Sequence, residues 1–441
     1  MSSVSTLPTE LWLKILRSIY EISLSSDILL QDYPWVDTLC SKRYRDSVSG
    51  HHRAVVRSIS QVCRTWKMIA RQLRYQEIEV GTSAFSFHDL MEHQLSSSIF
   101  NETRRLNVTA AQSNNTHDLS LLVQSMPRLE WLQLSTHEIE ETSLLPWLPS
   151  ILGPRPRLLY LDLKPLHYME TTISSESISL ISGLATRLRR LTCAIKYVAR
   201  SDGQAYKAPV FEDLQVLQLM YICCDPGDEE AGRKWFSRWR LPSLKQFHIP
   251  KNWEYCTELL GRGVGAQIEV LDASVRGFLN WFWRSPRVTL SSQGHSDVPE
   301  QLWFLCPRVH TVITVRRPPI PPEPPEARPK LHYIFTYPFR KWTTNFDQIA
   351  LASLLTSILS KWKEQGPSSR EYTFSLRYTE VSWQAWAKLC EPSTTSRVQS
   401  ALVRWKEFAE KHQVEVLDRY EVDIRDVAFR SEALEDSDND I

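Results

Sequence analysis

Residues 127–134 read PRLEWLQL, and residues 156–163 read PRLLYLDL. Each stretch has a leucine two positions after its proline and further leucines three and five positions beyond that one. Six clear copies of this spacing occur, with first positions 29, 30, 26, 30 and 24 residues apart. The copies are Leu129, Leu132, Leu134; Leu158, Leu161, Leu163; Leu188, Leu191, Cys193; Leu214, Leu217, Leu219; Leu244, Phe247, Ile249; and Ile268, Leu271, Ala273. Since side chains alternate across a strand, each copy predicts a short strand with one buried face.

Weaker copies flank this set at Thr103, Leu106, Val108; at Val309, Val312, Thr314; and at Leu331, Ile334, Thr336. A short strand plus a helix in each unit of ~20–29 residues is the leucine-rich-repeat signature. The asparagine that usually follows the strand is absent and the spacing is uneven, so the pattern predicts an irregular repeat. One unit cannot bury its apolar face alone, so neighbours must stack into a solenoid. The alternative is a set of unrelated strands in an α/β domain.

The segments between these strands predict helices. Residues 118–125 and 174–184 both carry apolar side chains on one helical face. The alternating glycines of 261–265 predict the end of a helix before the strand at Ile268. A longer stripe near the C-terminus indicates an amphipathic helix packed on a core. Its members are Val398, Leu402, Trp405, Phe408 and Ala409.

Other segments differ from the repeat pattern. Residues 225–230 are acidic and predict a turn. Residues 317–329 have seven prolines in their last twelve positions, which favours polyproline II and predicts a stiff loop. The final residues, 431–441, contain five acids and no base, so we expect a disordered tail.

The composition argues against several classes of protein. Among 441 residues, 52 Lys and Arg balance 51 Asp and Glu, and the net charge of +1 lacks the excess of a nucleic-acid binder. No stretch is apolar for long enough to span a membrane, and the first 25 residues lack the features of a signal peptide. We therefore expect a cytoplasmic and/or nuclear protein with neither nucleic-acid nor membrane partners.

Motifs for catalysis and for metal binding are also missing from the sequence. The eight cysteines form no CxxC pair and no zinc-finger spacing, so we expect reduced, buried thiols and no metal site. The 13 glycines, about 3% of the chain against a usual ~7%, disfavour glycine-rich turns around phosphates or flavins. No GxxxxGK[ST], GxSxG or HExxH motif occurs. We expect a protein that is not an enzyme and that holds no cofactor.

Two amphipathic helices are predicted near the N-terminus. Residues 7–20 read LPTELWLKILRSIY, where Pro8 and Glu10 suit a first helical turn. A second helix is predicted over residues 59–73. The apolar stripes are Leu7, Leu11, Ile15 and Ile19 in the first helix, and Ile59, Val62, Cys63, Trp66, Ile69, Ala70 and Leu73 in the second. Two short helices cannot bury these stripes alone, so they need the following domain or a partner.

The opening LPxELxxxIL and the later VCxxWxxIA together resemble an F-box. The resemblance is carried by Leu7, Pro8, Glu10, Leu11, Ile15, Leu16, Val62, Cys63 and Trp66. In that family the motif docks on a Skp-type adaptor that is linked to a cullin–RING ubiquitin ligase, and downstream leucine-rich repeats select the substrate protein. The resemblance therefore implies a substrate-recognition subunit for ubiquitin-dependent degradation. The adaptor-binding residues that it implies are Leu7, Pro8, Leu11, Ile15, Val62, Cys63 and Trp66.

The spacing of the two motifs departs from the family pattern. Here 58 positions separate Pro8 from Trp66, more than the family has, so an insertion occupies residues 21–56. The insertion could be a surface loop, or it could weaken adaptor binding. Two alternatives stay open: the helices could simply cap the repeats, and the repeats could bind a protein without any ubiquitin-ligase role.

The expected architecture is α/β, with a short helical F-box followed by an irregular leucine-rich-repeat solenoid. The helical F-box-like domain is expected over 1–80, with the insertion around 21–56. The repeat domain is expected over 81–430, interrupted by the proline-rich loop at 317–329. The acidic tail at 431–441 follows it.

Overall fold

The computed structural model of the protein describes residues 11, 61, 67, 77–80, 100–101, 103–109, 121–136, 158–165, 172–199, 206–250, 253–272, 300–314, 331–335, 374–378, 383, 395–412, 414–418 and 422–427. The predictions for the proline-rich loop at 317–329 and the acidic tail at 431–441 lie outside these residues. The chain divides into two compact units, residues 1–268 and 269–441.

The first unit is built on a parallel β-sheet. Its strands are β1 (Glu77–Val80), β2 (Arg105–Thr109), β3 (Trp131–Thr136), β4 (Tyr160–Pro165), β5 (Ile173–Ser174), β6 (Arg190–Tyr197), β7 (Val216–Cys224) and β8 (Gln246–His248). Their order within the unit is β1-β2-β3-β4-β6-β7-β8, and β5 pairs with the end of β6. Apart from β5, strands consecutive in the chain are neighbours in the sheet, as expected for stacked α/β repeats.

The strand register aligns the predicted repeat leucines across this sheet. Ile78, Leu106, Leu132, Leu161, Leu191, Leu217 and Phe247 are successive partners in adjacent strands. We call these seven residues the apolar column, and each is at most 7% exposed. The repeat prediction is confirmed for β2, β3, β4, β6, β7 and β8, whereas β1 with Ile78 lies outside the predicted copies. Burying one such Leu is worth ~1.5–3 kcal/mol, so the column is a large part of the core of this unit.

A hydrogen-bonded turn precedes several of the strands. The backbone N–H of Leu129 donates to the carbonyl of Met126 at 3.1 Å, and Leu188 donates to Ala185 at 3.1 Å in the same way. In both turns the first and last residues are buried and the two central residues are exposed. Pro127 occupies the first central position of its turn, where its fixed φ is favourable. This turn explains why a proline opens several copies of the pattern.

Helical segments connect the strands of the first unit. Residues 121–124 are helical, α1 is Ser175–Leu184 and α2 is Glu229–Ser237. A segment of mixed type follows as a 3-10 helix (Trp253–Cys256), α3 (Thr257–Leu259), a π-helix (Leu260–Val264) and a second 3-10 helix (Gly265–Gln267). The prediction at 174–184 is confirmed: Ser174 caps α1 by accepting a hydrogen bond from the Ser177 N–H at 3.2 Å. Helical structure also ends before Ile268, as predicted, and Gly263 adopts φ 105° within the segment.

The acidic segment 225–230 is only partly the predicted turn. The N–H of Asp228 donates to the carbonyl of Asp225 at 3.0 Å, and Gly227 has φ 97°. The turn prediction is wrong for Glu229 and Glu230, which form the first turn of α2. Carboxylates are stabilised there by the positive end of the helix dipole, so an acidic run is compatible with a helix start.

The second unit repeats the same parallel arrangement. Its strands β9 (Val270–Asp272), β10 (Thr311–Thr314), β11 (Leu331–Phe335), β12 (Phe374–Tyr378) and β13 (Glu415–Leu417) pair in chain order. The register aligns Leu271, Val312, Tyr333, Leu376 and Val416. The predicted copy at Leu331, Ile334 and Thr336 is therefore displaced by one residue, because Tyr333 and not Ile334 is the partner of Val312. The strands β12 and β13 extend the sheet beyond the predicted copies.

The helices of the second unit are α4 (Glu300–Leu305), α5 (Thr395–His412) and a 3-10 helix (Ile424–Asp426). The predicted amphipathic helix is confirmed as α5, in which Leu402, Trp405, Phe408 and Ala409 are buried. Val398 also belongs to α5, but its side chain lies outside the described part of the structure. None of the helices in the described part of the chain combines the length and apolar character needed to cross a membrane.

Candidate functional site

The predicted adaptor-binding surface is described at one of its seven residues. Leu11 is helical, and its side chain is 43% exposed. The other six residues, Leu7, Pro8, Ile15, Val62, Cys63 and Trp66, lie outside the described residues. In the second predicted helix, Lys67 is helical and exposed. Among the described residues, the other large apolar side chains with such exposure are Leu121 at 41% and Phe304 at 61%.

A column of polar residues runs parallel to the apolar column in the first unit. Gln133, Asp162, Thr192, Gln218 and His248 are successive partners in β3, β4, β6, β7 and β8. We call these five residues the polar column, and none is more than 6% exposed. Because they alternate with the buried leucines along each strand, both faces of the sheet are buried here. The polar column is thus closed to solvent and does not offer a recognition surface.

A buried ion pair lies within this face of the sheet. The Nε of Arg190 is 3.5 Å from Oδ1 of Asp162, and the two side chains are 1% and 0% exposed. Arg190 also donates to the Gln218 side-chain oxygen at 3.3 Å, and the Thr192 hydroxyl donates to the same oxygen at 3.2 Å. These contacts connect β4, β6 and β7 through their polar side chains.

Aromatic rings continue this cluster toward β2. The rings of Trp131 and Tyr160 are stacked, with centroids 5.1 Å apart. The Arg105 guanidinium lies 4.2 Å from the Trp131 ring centroid, and that of Arg190 lies 5.6 Å from it. Such cation–π contacts favour Arg, whose weakly hydrated plane packs against rings. They account for a tryptophan and two arginines on a sheet face that is largely buried.

Three of the described cysteines have raised pKa values. Burial, and secondarily the charge of Asp162, raises the pKa of the Cys193 thiol, and burial does the same for Cys256. Burial also raises the pKa of Cys224 to about 11, although a hydrogen bond with Tyr255 acts in the opposite direction. Burial raises the pKa of Tyr255 to about 12. Since the thiolate is the nucleophile, the raised pKa values lower the reactivity of these three thiols at neutral pH.

The described residues also hold no metal-binding cluster. Across these ranges, no three His, Cys, Asp or Glu side chains are grouped so that they could hold a metal ion. The buried polar face connects the strands of the sheet, and Leu11 is the described residue of the predicted adaptor-binding surface. The sequence predicts an apolar surface at Leu11 but not the burial of the polar face, because L-x-L strands with polar residues between the leucines usually expose those residues.

Comparisons with known proteins give no family assignment. No protein-family model matches the chain, and no curated protein matches it. A chain in the crystal structure of the Rad7 and Elc1 complex in yeast is 14% identical with a TM-score of 0.35, over 60% of this chain and 70% of that one. A protein from Bacteroides fragilis is 11% identical with a TM-score of 0.30, over 63% and 71% of the two chains. The architecture described above rests on the strand pairing and burial of this chain alone.

Proposed function

We propose that the chain is the substrate-recognition subunit of a Skp–cullin–F-box ubiquitin ligase. In this proposal the N-terminal helices bind a Skp-type adaptor, the repeats bind the substrate protein, and the chain performs no catalysis itself. The observation that carries the proposal is the exposure of Leu11, a large apolar side chain on a helix, at 43%. Leu11 belongs to the LPxEL segment that resembles the adaptor-binding motif.

An exposed Leu gains free energy when a partner covers it. Transfer of a Leu from water into an apolar interface is worth ~1.5–3 kcal/mol. The sequence spacing places Leu7, Leu11 and Ile15 on one face of the helix, so the three would be covered together. The parallel repeats support the proposed binding of a substrate protein, because stacked repeats form extended surfaces that commonly bind proteins.

The test compares two matched substitutions in the full chain. Leu11→Asp places a carboxylate in the proposed contact, and Leu121→Asp makes the same change at a helical residue in the repeats with nearly equal exposure, 41% against 43%. Loss of a buried Leu plus desolvation of a carboxylate costs at least ~3 kcal/mol, which is about a hundredfold in affinity. We expect Leu11→Asp to lose binding to a purified Skp-type adaptor by that factor and Leu121→Asp to bind like the wild type.

Three outcomes would contradict the proposal. The wild type could fail to bind the adaptor, or the two variants could lose binding equally. Circular dichroism identifies the third outcome: if Leu11→Asp alone unfolds the chain, the helix packs internally and caps the repeats.

The alternative function is a repeat scaffold that binds proteins without a ubiquitin-ligase role. The long separation of Pro8 and Trp66, 58 positions, favours it, because the insertion interrupts the adaptor motif. Deleting residues 21–56 distinguishes the two. Under the ligase proposal the deletion preserves or strengthens adaptor binding, whereas a scaffold binds the adaptor in neither form.

A further inference from the structure

Exposed arginines are concentrated where the strands of the first unit begin. Arg104 directly precedes β2, Arg128 lies in the turn before β3, Arg187 lies in the turn before β6, and Arg189 directly precedes β6. All four are exposed, and we call them the basic strip. They occupy central positions of the turns before β3 and β6 and the positions directly before β2 and β6, all of which are exposed.

Backbone hydrogen bonds join the starts of neighbouring strands. The carbonyl of Arg104 accepts from the N–H groups of Glu130 and Trp131 at 2.8 and 3.0 Å. The Leu159 carbonyl accepts in the same way from Arg189 and Arg190, at 2.8 and 3.1 Å. Since β2, β3, β4 and β6 are consecutive in the sheet, the strip spans three strand spacings, about 14 Å.

The strip has a defined end. Among the described residues in the turns and directly before the strands from β2 to β6, the acidic one is Glu130, which is half-buried. At the next strand Glu212 and Asp213 occupy the turn before β7 and are exposed, although Glu212 lies 3.8 Å from Arg240 and the exposed Lys245 directly precedes β8. The two acids therefore border the strip, in a chain whose net charge is only +1.

We propose that the basic strip binds an extended acidic segment of a partner protein. Alternate side chains of an extended chain lie about 6.8 Å apart on one side, so two or three carboxylates match a surface of this length. Arginine suits the role because its guanidinium binds carboxylates in a bidentate manner. A nucleic-acid strand fits less well, since the net charge of +1 lacks the excess typical of nucleic-acid binders and the exposed Asp213 borders the strip. The proposal goes beyond adaptor docking, because it concerns another surface and requires no adaptor.

The experiment measures binding of a fluorescent poly-glutamate peptide to the full chain by anisotropy, without adaptor. The strip variant is Arg104→Glu with Arg189→Glu. The control is Arg238→Glu with Arg404→Glu, two exposed arginines outside the strip that give the same change in net charge. We expect the strip variant to bind at least about tenfold more weakly, or 1.4 kcal/mol, and the control to bind within about twofold of the wild type. Added salt should weaken wild-type binding, because exposed charges are screened.

Several results would overturn the proposal. These are no peptide binding by the wild type, equal losses in the strip and control variants, or tighter binding of oligothymidylate than of poly-glutamate through the same arginines. The last result would identify a nucleic-acid surface. If circular dichroism shows that the strip variant is unfolded, Arg128→Gln with Arg187→Gln tests the other half of the strip without adding charge. Equal binding by that variant and the wild type would likewise refute the proposal.

Discussion

Replacing Arg190 by Met tests whether the polar face of the first sheet is as dry as the structure indicates. The substitution keeps a long side chain but removes the cation 3.5 Å from the fully buried Asp162 carboxylate. It also removes the hydrogen bond from Arg190 to Gln218, although Thr192 still donates to the same oxygen. The main cost is therefore an uncompensated buried charge.

Removing one partner of a buried ion pair costs ~3–5 kcal/mol. With an m-value of about 2 kcal/mol/M in urea, the unfolding midpoint of Arg190→Met should fall by roughly 2 M. The double variant Asp162→Leu with Arg190→Met should recover most of this loss, because it buries no charge. Urea titrations followed by tryptophan fluorescence and circular dichroism give the unfolding midpoints of the wild type and of both variants.

The neighbouring Arg189 supplies the control, because it is exposed and Arg190 is buried. Arg189→Met should change the free energy of unfolding by no more than about 0.5 kcal/mol. If Arg190→Met lowered the free energy of unfolding by less than about 1 kcal/mol, the reasoning would be refuted, because a solvent-exposed ion pair contributes that much. A double variant as unstable as Arg190→Met would also refute it.

Two further predictions concern the contact between β7 and α2. A Cβ added at Gly232 would lie 2.5 Å from the Cys224 Sγ, so Gly232→Ala should lower the free energy of unfolding by ~1–3 kcal/mol. Adding Cys224→Ala to that variant should restore part of the lost stability. Equal stability of Gly232→Ala and the wild type in thermal unfolding would contradict this prediction. Because the pKa of Cys224 is raised to about 11, its thiolate fraction, and hence its alkylation rate by iodoacetamide, should rise about tenfold per pH unit from pH 7 to 10. Peptide mass spectrometry measures that rate, and a plateau above pH 9 would indicate an ordinary thiol.

The apolar framework could be predicted from sequence because it depends on local periodicity. Residues such as Leu161 and Leu191 recur at the same place in each copy, and parallel pairing aligns them. The sheet continues into β12 and β13, where Leu376 and Val416 are aligned but polar Thr373 and Gln413 occupy the first position of the pattern. An incomplete copy of the pattern does not identify a repeat. In β11 two adjacent apolar residues made the register ambiguous, and the structure aligns Tyr333.

The buried polar face could not be predicted in the same way. Asp162 stands between two leucines, and alternation of that kind usually indicates a strand with one solvated face. Its burial depends on what covers the sheet, which local periodicity does not report. The N-terminal helix presents the converse case. Its stripe was visible in the sequence, but only the structure shows that Leu11 faces solvent.

Because of the polar column, one repeat of the first unit cannot simply replace another. Deleting residues 188–213 would bring Leu161 opposite Leu217 and leave the apolar column continuous, because every repeat contributes an equivalent residue to it. The same deletion would bring Asp162 opposite Gln218 and remove Arg190, so a buried carboxylate would lose its cation. Loss, duplication or exchange of a whole repeat is therefore restricted here by a few charged and amide side chains. The order of the strands is specified by residues that the repeat pattern itself does not contain.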